Sequence, residues 1–149
     1  MAGLYFEEFS VGQSIKTAGR TIGEDAIFSF AGLSGDYNQI HTDAVFASKT
    51  QFGQRVAHGL LGMSIAVGLI MQTGLLEGTV LAFREINEWK FVKPFFIGDT
   101  IHALLSISEI KGLPRIGAGA LIASVEVLNQ KDEVCQRGKL NLLGLSKPK

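Results

Sequence analysis

Val56-Ala57-His58-Gly59-Leu60-Leu61-Gly62-Met63-Ser64-Ile65-Ala66-Val67-Gly68-Leu69-Ile70-Met71-Gln72-Thr73-Gly74-Leu75-Leu76 contains no Asp, Glu, Lys or Arg. That length could cross a bilayer. His58, Ser64, Gln72, Thr73 and four glycines offset much of the insertion energy that Leu, Ile and Val supply, and no Lys or Arg cluster flanks the run to orient a span. A helix that is apolar all round is either embedded in lipid or wholly buried in protein. The expectation is therefore a buried helix over residues 57–75, about 27 Å long at 1.5 Å per residue.

What buries it follows in the chain. Ile101, Ala103, Leu105 and Ile107 alternate with Thr100, His102 and Ser106; Leu121, Ala123, Val125 and Val127 alternate with Ser124 and Glu126. Residues 134–145 give a third run of period two and residues 79–91 a looser fourth. Gly98-Asp99, Gly112-Leu113-Pro114 and Lys131-Asp132 separate them as turns. Consecutive strands without helices between them predict an antiparallel sheet with one buried face. The fold class is α+β, a sheet curling around one long helix. Upstream, after a short opening strand, Thr21-Ile22-Gly23-Glu24 fits a capping box, and Ala26, Ile27, Phe30, Ala31 and Leu33 follow at helical spacing. Gly35 suits a left-handed helix end, and residues 43–48 suit a short helical turn.

Composition bounds the function. The 149 residues suit one domain spanning 1–149, and 14 basic against 14 acidic side chains give zero net charge, which argues against a nucleic-acid binder or a polybasic membrane protein. Low charge (19%) beside 46% hydrophobic residues predicts surface hidden in an oligomer. The lone Cys135 excludes an internal disulfide or a multi-cysteine zinc site. Met1-Ala2-Gly3-Leu4-Tyr5-Phe6-Glu7-Glu8 has neither a basic nor an apolar leader region, so no secretory signal is expected, and the expected location is cytoplasmic with no membrane partner.

Chemistry concentrates in Leu33-Ser34-Gly35-Asp36-Tyr37-Asn38-Gln39-Ile40-His41-Thr42-Asp43. Asp, Asn and Ser are ordinary turn formers. A His and a carboxylate brought together can also hold one water, take a proton from it and return one elsewhere. Asn38 could orient either partner. A calcium loop is excluded, because Ile40, His41 and Ala47 stand where a ligand, the obligatory Gly and the bidentate Glu belong. A zinc site from His41, His58 and a carboxylate stays open, although no HExxH or CxxC spacing supports it. Ala57-His58-Gly59 opens the long helix, where N–H groups lack helical partners and Gly59 leaves its own N–H approachable, as an oxyanion hole requires. Close helix packing explains Gly59 and Gly62 equally well, and His58 suits a helix-end packing residue as well as a catalytic one.

Phe30-Ala31-Gly32-Leu33-Ser34-Gly35-Asp36-Tyr37-Asn38-Gln39-Ile40-His41, followed by Asp43, Ala47 and Ala57-His58-Gly59, resembles the signature of MaoC-like dehydratases and (R)-specific enoyl-CoA hydratases. The stretch from Phe91 to the Gly98-Asp99-Thr100 turn is similar to a later segment of that family. Gln39 stands where the family usually has Pro, which predicts a looser loop.

The resemblance implies a hot-dog fold, a homodimer or multiple of dimers, and an acyl-thioester tunnel at the subunit interface. It implies hydration of trans-2-enoyl-CoA to (R)-3-hydroxyacyl-CoA, or the reverse, with no cofactor or metal. Asp36 and His41 would hold the water, His41 as base and Asp36 as proton donor, with Asn38 in support and the Gly59 N–H on the thioester carbonyl. Ser34, Tyr37 and His58 would line the substrate side, while Arg84, Lys90 and Lys93 are candidates for the CoA phosphates. The rival readings are a hot-dog thioesterase and a non-catalytic acyl-thioester-binding subunit.

Overall fold

A computed structural model describes residues 2–149. In chain order the elements are β1 (Ser14–Lys16), β2 (Arg20–Thr21), α1 (Glu24–Ser34), α2 (Gln39–Thr42), α3 (Ala44–Ser48), α4 (Gly59–Gln72), β3 (Val80–Phe91), β4 (Thr100–Leu113), β5 (Ala118–Leu128) and β6 (Val134–Leu145). All strand pairs are antiparallel, in the order β1-β4-β5-β6-β3, with β2 pairing β4. Leu105 lies opposite Val125, and Leu121 opposite Leu142. The expected period of two holds on β4, where Ile101, Ala103, Leu105 and Ile107 are buried and their neighbours are not. These side chains form one core with Leu61, Ile65, Leu69 and Ile70 of α4. The sheet wraps the helix, the hot-dog arrangement.

Two sequence expectations are corrected. The central helix has 14 residues rather than the span 57–75, so it is about 21 Å long. It begins late because the Ala57 N–H donates to Phe95 O at 2.8 Å, holding the preceding residues extended, and His58 becomes the N-cap. Beyond Gln72, Gly74 adopts φ 76° and turns the chain away. Nor is the helix buried all round. Leu60 is 57% exposed, and Ser64, one turn on, is exposed too, because the sheet covers only one flank. No helix among the described residues is long and apolar enough to cross a membrane.

The second correction is the capping box. Thr21 belongs to β2, and its hydroxyl is 2.7 Å from that of Thr100, so strand pairing takes the residue the cap needed. α1 instead starts behind Gly23 with Glu24 and Asp25 in its first turn, where carboxylates oppose the helix dipole, and Glu24 pairs with Arg55. Gly35 ends α1 at φ 78°, as expected, and Asp43 caps α3 through Oδ1 to the Phe46 N–H at 2.9 Å.

Two glycines of α4 test this packing in opposite directions. A Cβ on Gly62 would lie 2.7 Å from Gln136 Nε2 and from the Phe95 ring, both buried, whereas one on Gly68 meets nothing within 4 Å. Gly68→Ala should raise the unfolding free energy by about 0.5–1 kcal/mol. Gly62→Ala should lower it by about 1–2 kcal/mol, overpacking outweighing the helix propensity gained. Urea denaturation of both variants measures the two signs.

Candidate active site

A relay of side-chain bonds shapes the loop between α1 and α2. Ser34 Oγ donates to Phe30 O at 2.7 Å and accepts from the Asp36 N–H at 3.2 Å. Asp36 Oδ1 accepts from the Asn38 N–H at 3.1 Å, and Asn38 Oδ1 accepts from the Ile40 N–H at 3.2 Å, capping α2. Thr42 Oγ1 donates to Tyr37 O at 3.1 Å. Gln39 is the first residue of α2, a position that tolerates proline, so hydrogen bonds do the work a ring would do there.

His41 comes from the single turn of α2 and is buried. Its Nδ1 lies 2.7 Å from Val56 O. A carbonyl only accepts, so Nδ1 carries the proton and Nε2 of the neutral ring holds the free lone pair. That Nε2 faces Asp36 Oδ2 at 3.8 Å. The gap is too wide for a hydrogen bond, but one oxygen about 2.8 Å from each atom fits across it. Burial holds the His41 pKa below the usual histidine value, the neighbouring His58 adds to that, and the Val56 carbonyl and Asp36 oppose it in part. The ring is therefore neutral near pH 7, with the Nε2 lone pair free.

His58, the N-cap of α4, donates from Nε2 to Asp36 O at 2.9 Å and stacks on His41 with ring centroids 3.8 Å apart and planes 28° from parallel. Its Nδ1 is buried without a partner among the described residues. Asp36, His41 and His58 bring ligand atoms within 4.8 Å of one another, the trio the zinc alternative needed. The stacking disfavours that use. Imidazole lone pairs lie in the ring plane, and a zinc about 2.0–2.1 Å from both rings would sit well outside at least one of two nearly parallel planes. His58 instead ties the start of α4 to the backbone of the Asp36 loop.

A cavity of about 660 Å³ opens beside His41, its wall including His41, Gly59, Leu60, Phe91, Phe95 and Gln136; Asp36, Asn38 and His58 are not among its lining residues. The Gly59 and Leu60 N–H groups, at the positive end of α4, have no partner among the described residues. The Phe91 ring lies on Gly59, where a Cβ would be 2.8 Å from it. Thus Gly59 serves close packing and leaves a donor on an apolar wall at once. Of the cations named from sequence, Lys93 lines the cavity and pairs with Glu133; Arg84 and Lys90, both on β3, do not line it. Ser34 is committed to the loop relay, and Tyr37 is exposed outside the cavity wall.

Residues 7–127 match the family described as MaoC like domain, a span that includes Asp36, Asn38, His41 and Gly59. This chain belongs to the MaoC-like family. Protein MaoC of Klebsiella aerogenes is 39% identical over 68% of the chain, which spans only 30% of that relative's length. The (R)-specific enoyl-CoA hydratase of Rhodospirillum rubrum is 36% identical over 71% of this chain and 71% of its own. Among solved structures, one described as a monoamine oxidase regulatory protein from Archaeoglobus superposes with a TM-score of 0.92 at 35% identity, covering 99% of this chain and 98% of that one.

The sequence reading did not single out Gln136, Phe52 or Phe95 as cavity residues. Gln136 did carry a signal, a polar side chain in a run that otherwise reads as buried strand. Phe95, just past Pro94, sits outside any periodic element.

The depressed His41 pKa predicts a pH dependence of stability. The unfolded chain takes up the His41 proton near pH 6.5, whereas the folded chain resists it until lower pH. The unfolded state then binds more protons, so stability is lost as pH falls below about 6.5 toward the folded-state pKa. The fall in urea midpoint between pH 8 and pH 5.5 should be smaller in His41→Gln than in the wild type.

Proposed function

We propose that this MaoC-like protein is an (R)-specific enoyl-CoA hydratase, adding water across C2–C3 of a trans-2-enoyl-CoA. The observation that carries the reading is the free Nε2 of His41 facing Asp36 Oδ2 across 3.8 Å, with His41 on the wall of a cavity also lined by Gly59 and Leu60, whose N–H groups have no partner among the described residues. The relative from Rhodospirillum rubrum bears that name.

In this reading the acyl chain occupies the space among Phe52, Phe91 and Phe95, where burial of apolar surface supplies binding energy. The thioester oxygen meets the Gly59 N–H, which stabilises the charge that develops there. His41 Nε2 takes one proton from the bridging water as its oxygen attacks C3. The proton passes from His41 to the Asp36 carboxylate, which delivers it to C2 from the same side, so both groups end in the states in which they began. The pair titrates as a unit, and dehydration runs the same steps backwards. Lys93, which lines the cavity and pairs with Glu133, is the candidate cation for the CoA phosphate in this reading.

The same reading includes a homodimer formed along β3. That strand is an outer edge of the sheet, and Leu81, Phe83 and Ile86 are exposed on it. An exposed apolar edge is a template for pairing with a second chain. Ile86→Lys should shift the protein from dimer to monomer by size-exclusion chromatography with light scattering.

With crotonyl-CoA the wild type should deplete the enoyl absorbance without releasing thiol, whereas release of free CoA would establish thioester hydrolysis instead. Asp36→Asn and His41→Ala should each lower kcat by about 10²–10⁴-fold, the usual scale of acid–base contributions, with the circular dichroism spectrum unchanged. Wild-type turnover in either variant overturns the mechanism.

A further inference from the structure

Gln136 of β6 is a polar side chain on the cavity wall, 2% exposed, to which the mechanism above gives no task. Its amide makes two bonds: Trp89 Nε1–H donates to Oε1 at 3.3 Å, and Nε2 donates to Gly59 O at 2.8 Å. An indole nitrogen only donates and a carbonyl only accepts, so the amide has one possible orientation. The surroundings are shaped to hold it. Gly62 leaves the space that Nε2 occupies, and Gly138 leaves the space for Trp89, whose Cε3 would lie 2.6 Å from a Cβ there. Trp89 is aimed at β6 by an irregularity of β3, where the register shifts between Asn87 and Lys90 and Glu88 takes φ 53°.

Gly59 lines the cavity, so the contact with its carbonyl acts on the cavity wall. Gly59 O and the Leu60 N–H belong to one peptide unit, and that N–H has no partner among the described residues. A donor on the carbonyl polarises the unit, strengthens its N–H as a donor and fixes its plane. The preceding unit, which carries the Gly59 N–H, is served likewise by the Leu61 and Gly62 N–H groups, 3.0 and 3.2 Å from His58 O. The Leu60 unit receives a side chain from β6 in addition to its own helix.

We propose that Gln136 is a positioning residue, held by Trp89, that sets the Gly59–Leu60 peptide so that the Leu60 N–H joins the Gly59 N–H on the thioester oxygen. The role rests on the hydratase reading above. It also lies outside the part of the chain that matches the family, which ends at residue 127.

The test is steady-state kinetics on crotonyl-CoA with Gln136→Met, which keeps the bulk and removes both bonds, and Trp89→Phe, which removes the orienting donor together with part of the ring that lies on Gly138. Charge on the thioester oxygen grows toward the transition state, so loss of a donor should appear in kcat rather than KM. Gln136→Met should lower kcat by about tenfold with KM within about twofold, and Trp89→Phe should lower kcat by about threefold in the same way. A KM increase at unchanged kcat, or wild-type kinetics in both variants, overturns the proposal. Should Gln136→Met fail to fold, Trp89→Phe decides alone, and an unchanged kcat there overturns it. A wild-type protein that leaves crotonyl-CoA untouched overturns the hydratase activity itself, and this role with it.

Discussion

The backbone of Val56 and Ala57 is the constraint on which the site depends. Its N–H and C=O groups are stitched to both sides: the Val56 N–H donates to Ile40 O at 3.1 Å, Val56 O accepts from His41 Nδ1 at 2.7 Å, and the Ala57 N–H donates to Phe95 O at 2.8 Å. Each buried bond contributes only about 0.5–1.5 kcal/mol net, but an orphaned buried partner costs about 1–3 kcal/mol. The strap therefore holds α2, the start of α4 and the β3–β4 connection in one register. Because its carbonyl can only accept, it also selects the His41 tautomer.

That one strap places opposed chemical needs next to each other. A base at His41, as proposed, must be buried enough to stay neutral, yet its lone pair must reach solvent beside a carboxylate. His41 meets both demands because its side chain is 9% exposed while that of Asp36 is 51% exposed. The loop relay from Ser34 to Ile40 holds Asp36 where its second oxygen stays free. The stacked ring of His58 adds a buried neighbour that disfavours protonation of His41 and anchors Asp36 O to the N-terminus of α4. The two imidazole rings, the Asp36 loop and the N-terminus of α4 are thus tied together by direct contacts.

Much of this was legible in the residues. The strand alternation at Ile101–Ile107 and Leu121–Val127 reports burial directly, because side chains of a strand alternate between two faces. Gly35 and Asp43 announce helix boundaries through local backbone preference and a local side-chain bond. Thr21 misled for a related reason: its hydroxyl suits a cap, but Thr100, far along the chain, pairs with it first. The exposed face of α4 was equally hidden, since an apolar sequence does not state how much of its circumference a sheet will cover.

By itself the sequence determined the α+β character, the order of the elements and the loop that carries Asp36, Asn38 and His41, because these follow from periodicity and turn chemistry among near neighbours. Tertiary structure alone decided that Asp36 faces His41 across one oxygen's width, that Val56 O chooses the tautomer, and that Gln136 reaches Gly59 O. The last two contacts join residues 15 and 77 positions apart. Local propensity carries no information about such pairs; they exist because a twisted sheet closes around a helix and brings distant backbone within hydrogen-bond range.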